Sequence, residues 1–269
     1  MPTDRTASTA DVPIRWHWLI QWFRWYANGF VRKHFHAVRL AKSSAPLPEG
    51  DAPIIVVLNH PSWWDPMIAA LLTDLFPNRP AYAPIHQREL QKYRFFRRLG
   101  FFGLDPENPR AAVRFLQIAE QICRQPRAML WITAQGEFVD VRQRPIQLRS
   151  GVGHLAARLE TGWILPLALE YSFWTEKTPE ALARFGPAIA LESVPDCSGK
   201  QWTERISQAV TENCDALAGD VQTRDPARFF TLLAGRTGIG GVYDAWRNLR
   251  AWVRGDRFHP GHAHPESPP

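Results

Sequence analysis

Apolar positions recur along this chain with two periods, one that suits helices and one that suits strands. Between residues 14 and 36 the period is helical. Trp16, Leu19, Ile20, Phe23, Ala27 and Phe30 fall at i, i+3, i+4, i+7, i+11 and i+14 and share one face. Trp18, Trp22 and Trp25 form a second apolar stripe beside the first, so that only His17, Gln21, Arg24, Asn28 and Arg32 make a polar strip. A helix that packs on a domain needs one stripe. The second predicts an amphipathic helix, bounded at 14–39, that lies in a membrane interface with Arg15, Arg24, Arg32 and Lys33 available to lipid phosphates.

After a Pro- and Ser-rich linker at 42–53, short apolar runs alternate with helical patterns. Strands are predicted at 54–58, 81–85, 128–132, 164–171 and 188–192. Helices are predicted at 66–76 with Pro66 in the first turn, at 109–124 with Asn108 as N-cap and Pro109 behind it, and at 151–161, 200–218 and 225–235. Such alternation predicts an α/β fold, a mixed but largely parallel central sheet flanked by helices. Val242, Trp246, Leu249 and Val253 make a last helical stripe with Arg247, Arg250 and Arg254 off it, so the sheet is expected to carry amphipathic helices at both ends. The expected borders are a disordered start at 1–13, the interfacial helix at 14–39, one folded domain at 40–220, a basic helical segment at 221–256 and a disordered Pro-rich tail at 257–269.

Composition narrows the partner. Twelve Trp among 269 residues suit a lipid–water boundary, where an apolar body and one N–H donor are both useful. A net charge of +6 asks for an anionic partner. The basic residues lie among Trp and Phe rather than in Lys/Arg blocks, which favours a membrane surface over nucleic acid. Cys123, Cys197 and Cys214 are too few and too irregular for a disulfide framework or a zinc cluster. No apolar h-region opens the chain, and no run reaches the ~18 apolar residues of a spanning helix. The expectation is a protein on the cytoplasmic face of a membrane rather than through it.

The candidate chemistry sits in IIVVLNHPSWWDPMIAALL, residues 54–72. A buried strand ends at Asn59-His60, and Asp65-Pro66 opens a helix five residues later. Functional groups of α/β sheets gather at the carboxyl edge of the strands. A neutral imidazole can take the proton of an attacking hydroxyl, and a carboxylate on its other nitrogen fixes the tautomer and steadies the imidazolium.

Asn59-His60-Pro61-Ser62-Trp63-Trp64-Asp65 resembles the NHxSxxD block, with its His-x4-Asp core, of the glycerolipid acyltransferases, among them lysophosphatidate and glycerol-3-phosphate acyltransferases. Arg88-Glu89-Leu90 and the Gly100–Asp105 turn are similar to that family's second block, with Arg110 the nearest match to its terminal Arg. Ile132-Thr133-Ala134-Gln135-Gly136-Glu137-Phe138 stands where the third block, Phe-Pro-Glu-Gly-Thr-Arg, is expected. Only Gly136 matches it cleanly. The apolar run around Pro166 is similar to the fourth block.

The resemblance implies an acyltransferase domain over 40–220, with His60 as general base and Asp65 as its orienter. It further implies substrate contacts from Asn59, Ser62, Trp63, Arg110, Gln135, Gly136, Glu137, Phe138, Arg142 and Pro166. The donor is an acyl thioester, acyl-CoA or acyl-carrier protein, and neither metal nor resident cofactor is required. Backbone N–H groups near Gly136, or at the start of the helix after Asp65, are expected to hold the oxyanion. Gln135 and Phe138 replace a carboxylate and a guanidinium of the third block. The acceptor is therefore expected to be a lysolipid- or glycolipid-like alcohol rather than glycerol-3-phosphate, unless Arg110, Arg142 or Arg144 restores the charge. The alternative is a non-catalytic lipid-binding protein on an eroded form of the fold, against which the intact His60 and Asp65 argue.

Overall fold

A computed structural model describes residues 12–105, 108 and 110–235. In chain order these form α1 (His17–His34), β1 (Ala37–Ala41), β2 (Ile54–Leu58), α2 (Asp65–Leu72), β3 (Ala81–His86), α3 (Gln87–Lys92), α4 (Phe96–Leu99), β4 (Phe101–Leu104), α5 (Ala111–Cys123), β5 (Met129–Thr133), α6 (Gly151–Ala156), β6 (Trp163–Ser172), β7 (Glu180–Phe185), β8 (Ile189–Ala190), α7 (Gly199–Gln222) and β9 (Phe229–Ala234). The strands make one sheet in the order β4-β3-β5-β2-β6-β7-β1-β9, with β8 beside β6. From β4 to β6 every pair is parallel; β7 then runs antiparallel to β6, β1 parallel to β7, and β9 antiparallel to β1. The sheet is mixed and largely parallel, as the alternating pattern predicts.

Strand alternation divides the core in two. Ile55 and Val57 of β2 point to one face, where α5, α6 and α7 cover them with Phe115, Ile118, Ile122, Leu155, Trp202, Ile206 and Val210. Helix α7 starts at a capping box, in which Ser198 and Gln201 each receive the other's backbone N–H. Ile54, Val56 and Leu58 point to the other face and meet Val31 and Phe35 at the end of α1, Ile68 and Leu72 of α2, and Phe76.

Several expectations are corrected. The sheet extends past both expected borders, since β1 begins within the 14–39 segment and β9 lies beyond residue 220. Strands β1 and β7 were not anticipated. Arg39 of β1 and Glu180 of β7 form a buried ion pair with each other, Arg39 Nε donating to Glu180 Oε2 over 2.9 Å, so polar letters conceal two buried strands.

Residues 225–235 form not a helix but a 3-10 turn and β9. A bulge lies at Val38/Arg39, opposite which the register skips Leu232. It turns Phe229 to the face under α7 and Leu233 to the face under α1. Spacing alone did not separate helix from strand, since residues four apart share a face on a helix and on a regular strand alike. The expected strand at 188–192 is only the two residues of β8 followed by a 3-10 turn, and α2 stops at Leu72 rather than at 76. Helix α5 begins at Ala111, with Asn108 Oδ1 accepting the Arg110 N–H just ahead of it. Pro109, the terminus at 1–11, the basic helix around Val242–Val253 and the Pro-rich tail lie outside the described residues. Among those described, no helix is long and apolar enough to cross a membrane.

Candidate active site

Two anchors place His60 at the carboxyl end of β2. On one side the Asn59 amide continues the ladder to β6, its Nδ2 donating to Leu169 O at 2.9 Å and its Oδ1 accepting from Leu169 N at 2.8 Å. On the other, the loop after β5 grips the backbone of His60 twice: Gln135 Oε1 accepts the His60 N–H at 2.7 Å, and Val139 N–H donates to His60 O at 3.0 Å. Gly136 makes that loop possible. Its φ of +77° suits glycine, and a Cβ there would lie 2.2 Å from Arg149 Nε.

The side chain is held as firmly. His60 Nδ1 lies 2.6 Å from Asp65 Oδ2. A carboxylate accepts and does not donate, so Nδ1 carries the proton and Nε2 keeps its lone pair for an incoming hydroxyl. Asp65, the first residue of α2, is 0% exposed, and it is satisfied by three donors. Besides His60, the Ser62 N–H reaches Oδ2 at 3.2 Å and the Tyr171 hydroxyl donates to Oδ1 at 2.7 Å. Burial pushes the Tyr171 phenol well above its usual range, and the adjacent Asp65 charge adds to the effect, so the hydroxyl stays protonated and remains a donor.

His60 opens onto the side of the sheet that carries α1 and α2, in a groove of about 1880 Å³. Ala81, Ala83, Phe101 and Trp131 lie along it from the strands, Ile20 and Phe23 from α1, Met67 and Ala70 from α2, and Phe96 from α4. Of the expected site residues it gathers His60, Trp63, Asp65, Gly136, Glu137 and Phe138. The Phe138 ring is 61% exposed and centred 4.5 Å from the imidazole. The adjacent tryptophans divide: Trp63 stands in the groove, while Trp64 packs among Phe30, His34 and Phe35.

The remaining expected contacts are placed elsewhere. Asn59 is buried against β6, Ser62 accepts the Trp64 N–H within the turn, and Gln135 is spent on the His60 backbone. Pro166 is buried in β6, where its carbonyl accepts from Gly186 N–H. Arg110 precedes α5, Arg142 pairs with Asp140, and Arg144 pairs with Asp215; none of the three lines the groove.

Of the expected oxyanion donors, those of Gly136 itself and of the start of α2 are engaged, while the two residues after Gly136 keep theirs. Gly136 N–H goes to Thr133 O, and those of Asp65, Met67 and Ile68 go to Ser62 and Trp64 carbonyls. The N–H groups of Trp63, Glu137 and Phe138 make no hydrogen bond to the described residues. Tyr171 was missed. It ends the predicted 164–171 strand at the sheet's carboxyl edge, the location that should have nominated it.

A family model described as Acyltransferase matches residues 36–170, from just before β1 to the residue before Tyr171. Among solved structures the chain is similar to the 1-acyl-sn-glycerophosphate (LPA) acyltransferase PlsC from Thermotoga maritima. The two are 12% identical, the match covers 74% of this chain and 78% of that one, and the TM-score is 0.49. No curated protein matches.

Proposed function

The chain belongs to the acyltransferase family, and with that as premise we propose that it moves a fatty acyl group from a thioester, acyl-CoA or acyl-carrier protein, to the hydroxyl of a membrane lipid. The observation that carries this reading is the 2.6 Å His60–Asp65 contact beside an apolar groove. The acyl chain lies along the groove past Ala83 and Phe101. His60 Nε2 takes the acceptor's proton as its oxygen attacks the thioester carbonyl carbon. The tetrahedral oxyanion is met by the N–H groups of Trp63, Glu137 or Phe138. As it collapses, the C–S bond breaks and the imidazolium returns the proton to the leaving thiol. Asp65, steadied by Tyr171, holds the imidazole in its tautomer throughout.

For the acceptor, the proposal is a larger amphipathic alcohol, lysolipid- or glycolipid-like, in preference to glycerol-3-phosphate. A phosphate monoester wants a guanidinium fork or several donors around it. Arg110, Arg142 and Arg144 do not line the groove, and of the cations that do, Arg88 and Lys92 belong to α3, whereas Phe138 offers an open ring beside His60. The chain works on a membrane through the exposed Trp18, Trp22 and Trp25 of α1.

Purified protein given acyl thioester and a panel of lysophosphatidate, glycerol-3-phosphate and glycolipid, with products read by mass spectrometry, tests the reading. Thioester-dependent acylation that needs His60 supports it. Turnover equal in His60→Ala removes His60 from the reaction, and no turnover with any acceptor returns the non-catalytic lipid-binding alternative. Clear preference for glycerol-3-phosphate overturns the argument about the acceptor alone.

A further inference from the structure

Between β3 and β4 the chain turns through α3 and α4 at the rim of the groove. Over residues 88–98 it carries Arg88, Lys92, Arg94, Arg97 and Arg98 against one acid, Glu89. The expectation that no basic cluster exists is thus corrected by this short stretch. Lys92, Tyr93, Arg94, Phe95 and Arg97 are exposed in near succession, and neither Arg94 nor Arg97 has an ion-pair partner among the described residues. The segment is fastened to the start of α1. Arg98 O accepts the Trp16 N–H at 2.9 Å, the Arg98 guanidinium lies 4.7 Å from the Trp16 ring centre, and Phe23 meets Phe96 edge-on at 6.5 Å. Exposed cations and the exposed rings of Trp16, Trp18, Tyr93 and Phe95 are therefore brought together at the start of α1, the helix that also exposes Trp22 and Trp25.

We propose that the α3–α4 segment docks on anionic lipid, so that it selects a bilayer by charge while the α1 tryptophans insert into whichever bilayer is met. Aromatic rings favour headgroup depth, and cations there meet lipid phosphates. Nucleic acid would satisfy the cations but offers nothing to a tryptophan stripe along the first half of α1 that borders an apolar groove. The inference rests on reading α1 as interfacial, and its test separates the two.

Full-length protein is floated with vesicles of phosphatidylcholine alone and of phosphatidylcholine mixed with phosphatidylglycerol. Arg94→Gln/Arg97→Gln is expected to bind the mixed vesicles roughly 25-fold more weakly than the parent, and the neutral vesicles equally. Arg94→Lys/Arg97→Lys, which keeps the charge, should restore binding and so excludes misfolding as the cause. Trp18→Ser/Trp25→Ser should lose binding to both vesicle types. If it binds normally, the reading of α1 fails and the charge selection can still be seen. Equal binding of parent and Arg94→Gln/Arg97→Gln to mixed vesicles overturns the proposal, as does failure of the parent to prefer them. Random-sequence DNA that strips the protein from mixed vesicles at physiological salt, at equal phosphate concentration, would identify nucleic acid as the partner and overturn it too.

Discussion

The two faces of one sheet are built from the same strands and finished differently. Under α5, α6 and α7 the cover is complete: Trp202, Ile206 and Val210 close over Ile55, Val57 and their neighbours. On the other face α1 and α2 cover β2, β6 and β7, but over β3 and β5 they leave a groove floored by Ala81, Ala83 and Trp131. His60 and Asp65 stand where cover gives way to groove. The covered half of that face supplies the burial that fixes Asp65, and the open half supplies access to Nε2. A site of this kind needs both, and β2 delivers them by ending at the boundary.

The comparison predicts that changes at the open face alter rate, whereas changes at the closed face alter stability. The largest effect should come from His60→Ala, which removes the base and lowers the rate of acyl transfer by about 10²–10⁴-fold while leaving the melting temperature nearly unchanged. Thioester consumption and a thermal melt on the same preparation check it, and retention of more than about a tenth of the activity would remove His60 from the role. Asp65→Asn should be nearly as damaging, since it keeps the shape and loses the charge that steadies the imidazolium. Next comes the converse at the closed face. Trp202→Ala should cost about 3–5 kcal/mol of stability in denaturant unfolding, with the rate per folded molecule preserved. A proportional loss of rate would show that the faces are coupled and break the comparison.

A smaller effect is expected of Tyr171→Phe, which takes from Asp65 Oδ1 its only side-chain donor among the described residues. The rate should fall about tenfold, within what a hydrogen bond to a charged group is worth. Thioester consumption by the variant checks it, and an unchanged rate would make Tyr171 a packing residue only. The mildest test is chemical. Burial pushes the Cys123 and Cys214 thiols up to about 12, whereas Cys197 is partly exposed. A disulfide reagent near neutral pH should modify one thiol of the three promptly. The other two should react only on unfolding, and prompt reaction of all three would mean the closed face opens readily.

Much of this arrangement was legible in the letters. Strand β2 and the leading parts of β5 and β6 are unbroken apolar runs, as strands buried on both faces must be, and the short path from His60 to Asp65 left few ways to arrange the pair. The parts that were not legible share a cause. Arg39 and Glu180 satisfy each other only across strands that are distant in sequence, so each reads locally as a solvated charge. Gln135 was read as a lost acceptor contact. Its amide oxygen instead receives the His60 N–H, as a Glu carboxylate could do equally well, so the substitution says less about the acceptor than its letters suggest.

Helix α1 joins two functions in one element. Ala27 and Val31, with Phe35 just beyond, are sealed in the covered face, while Trp18 and Trp25 are 66% and 74% exposed on the opposite side. Burying a side chain the size of Val or Phe is worth about 1.5–3 kcal/mol. A chain clipped ahead of β1 would therefore lose a wall of its fold and, on the proposed reading of α1, its hold on lipid as well. An anchor joined by a linker can be shed by a protease to leave a working enzyme adrift in solution; here no such fragment is to be expected. Testing that hold without unfolding the chain means changing the outer face of α1 residue by residue and leaving the inner one alone.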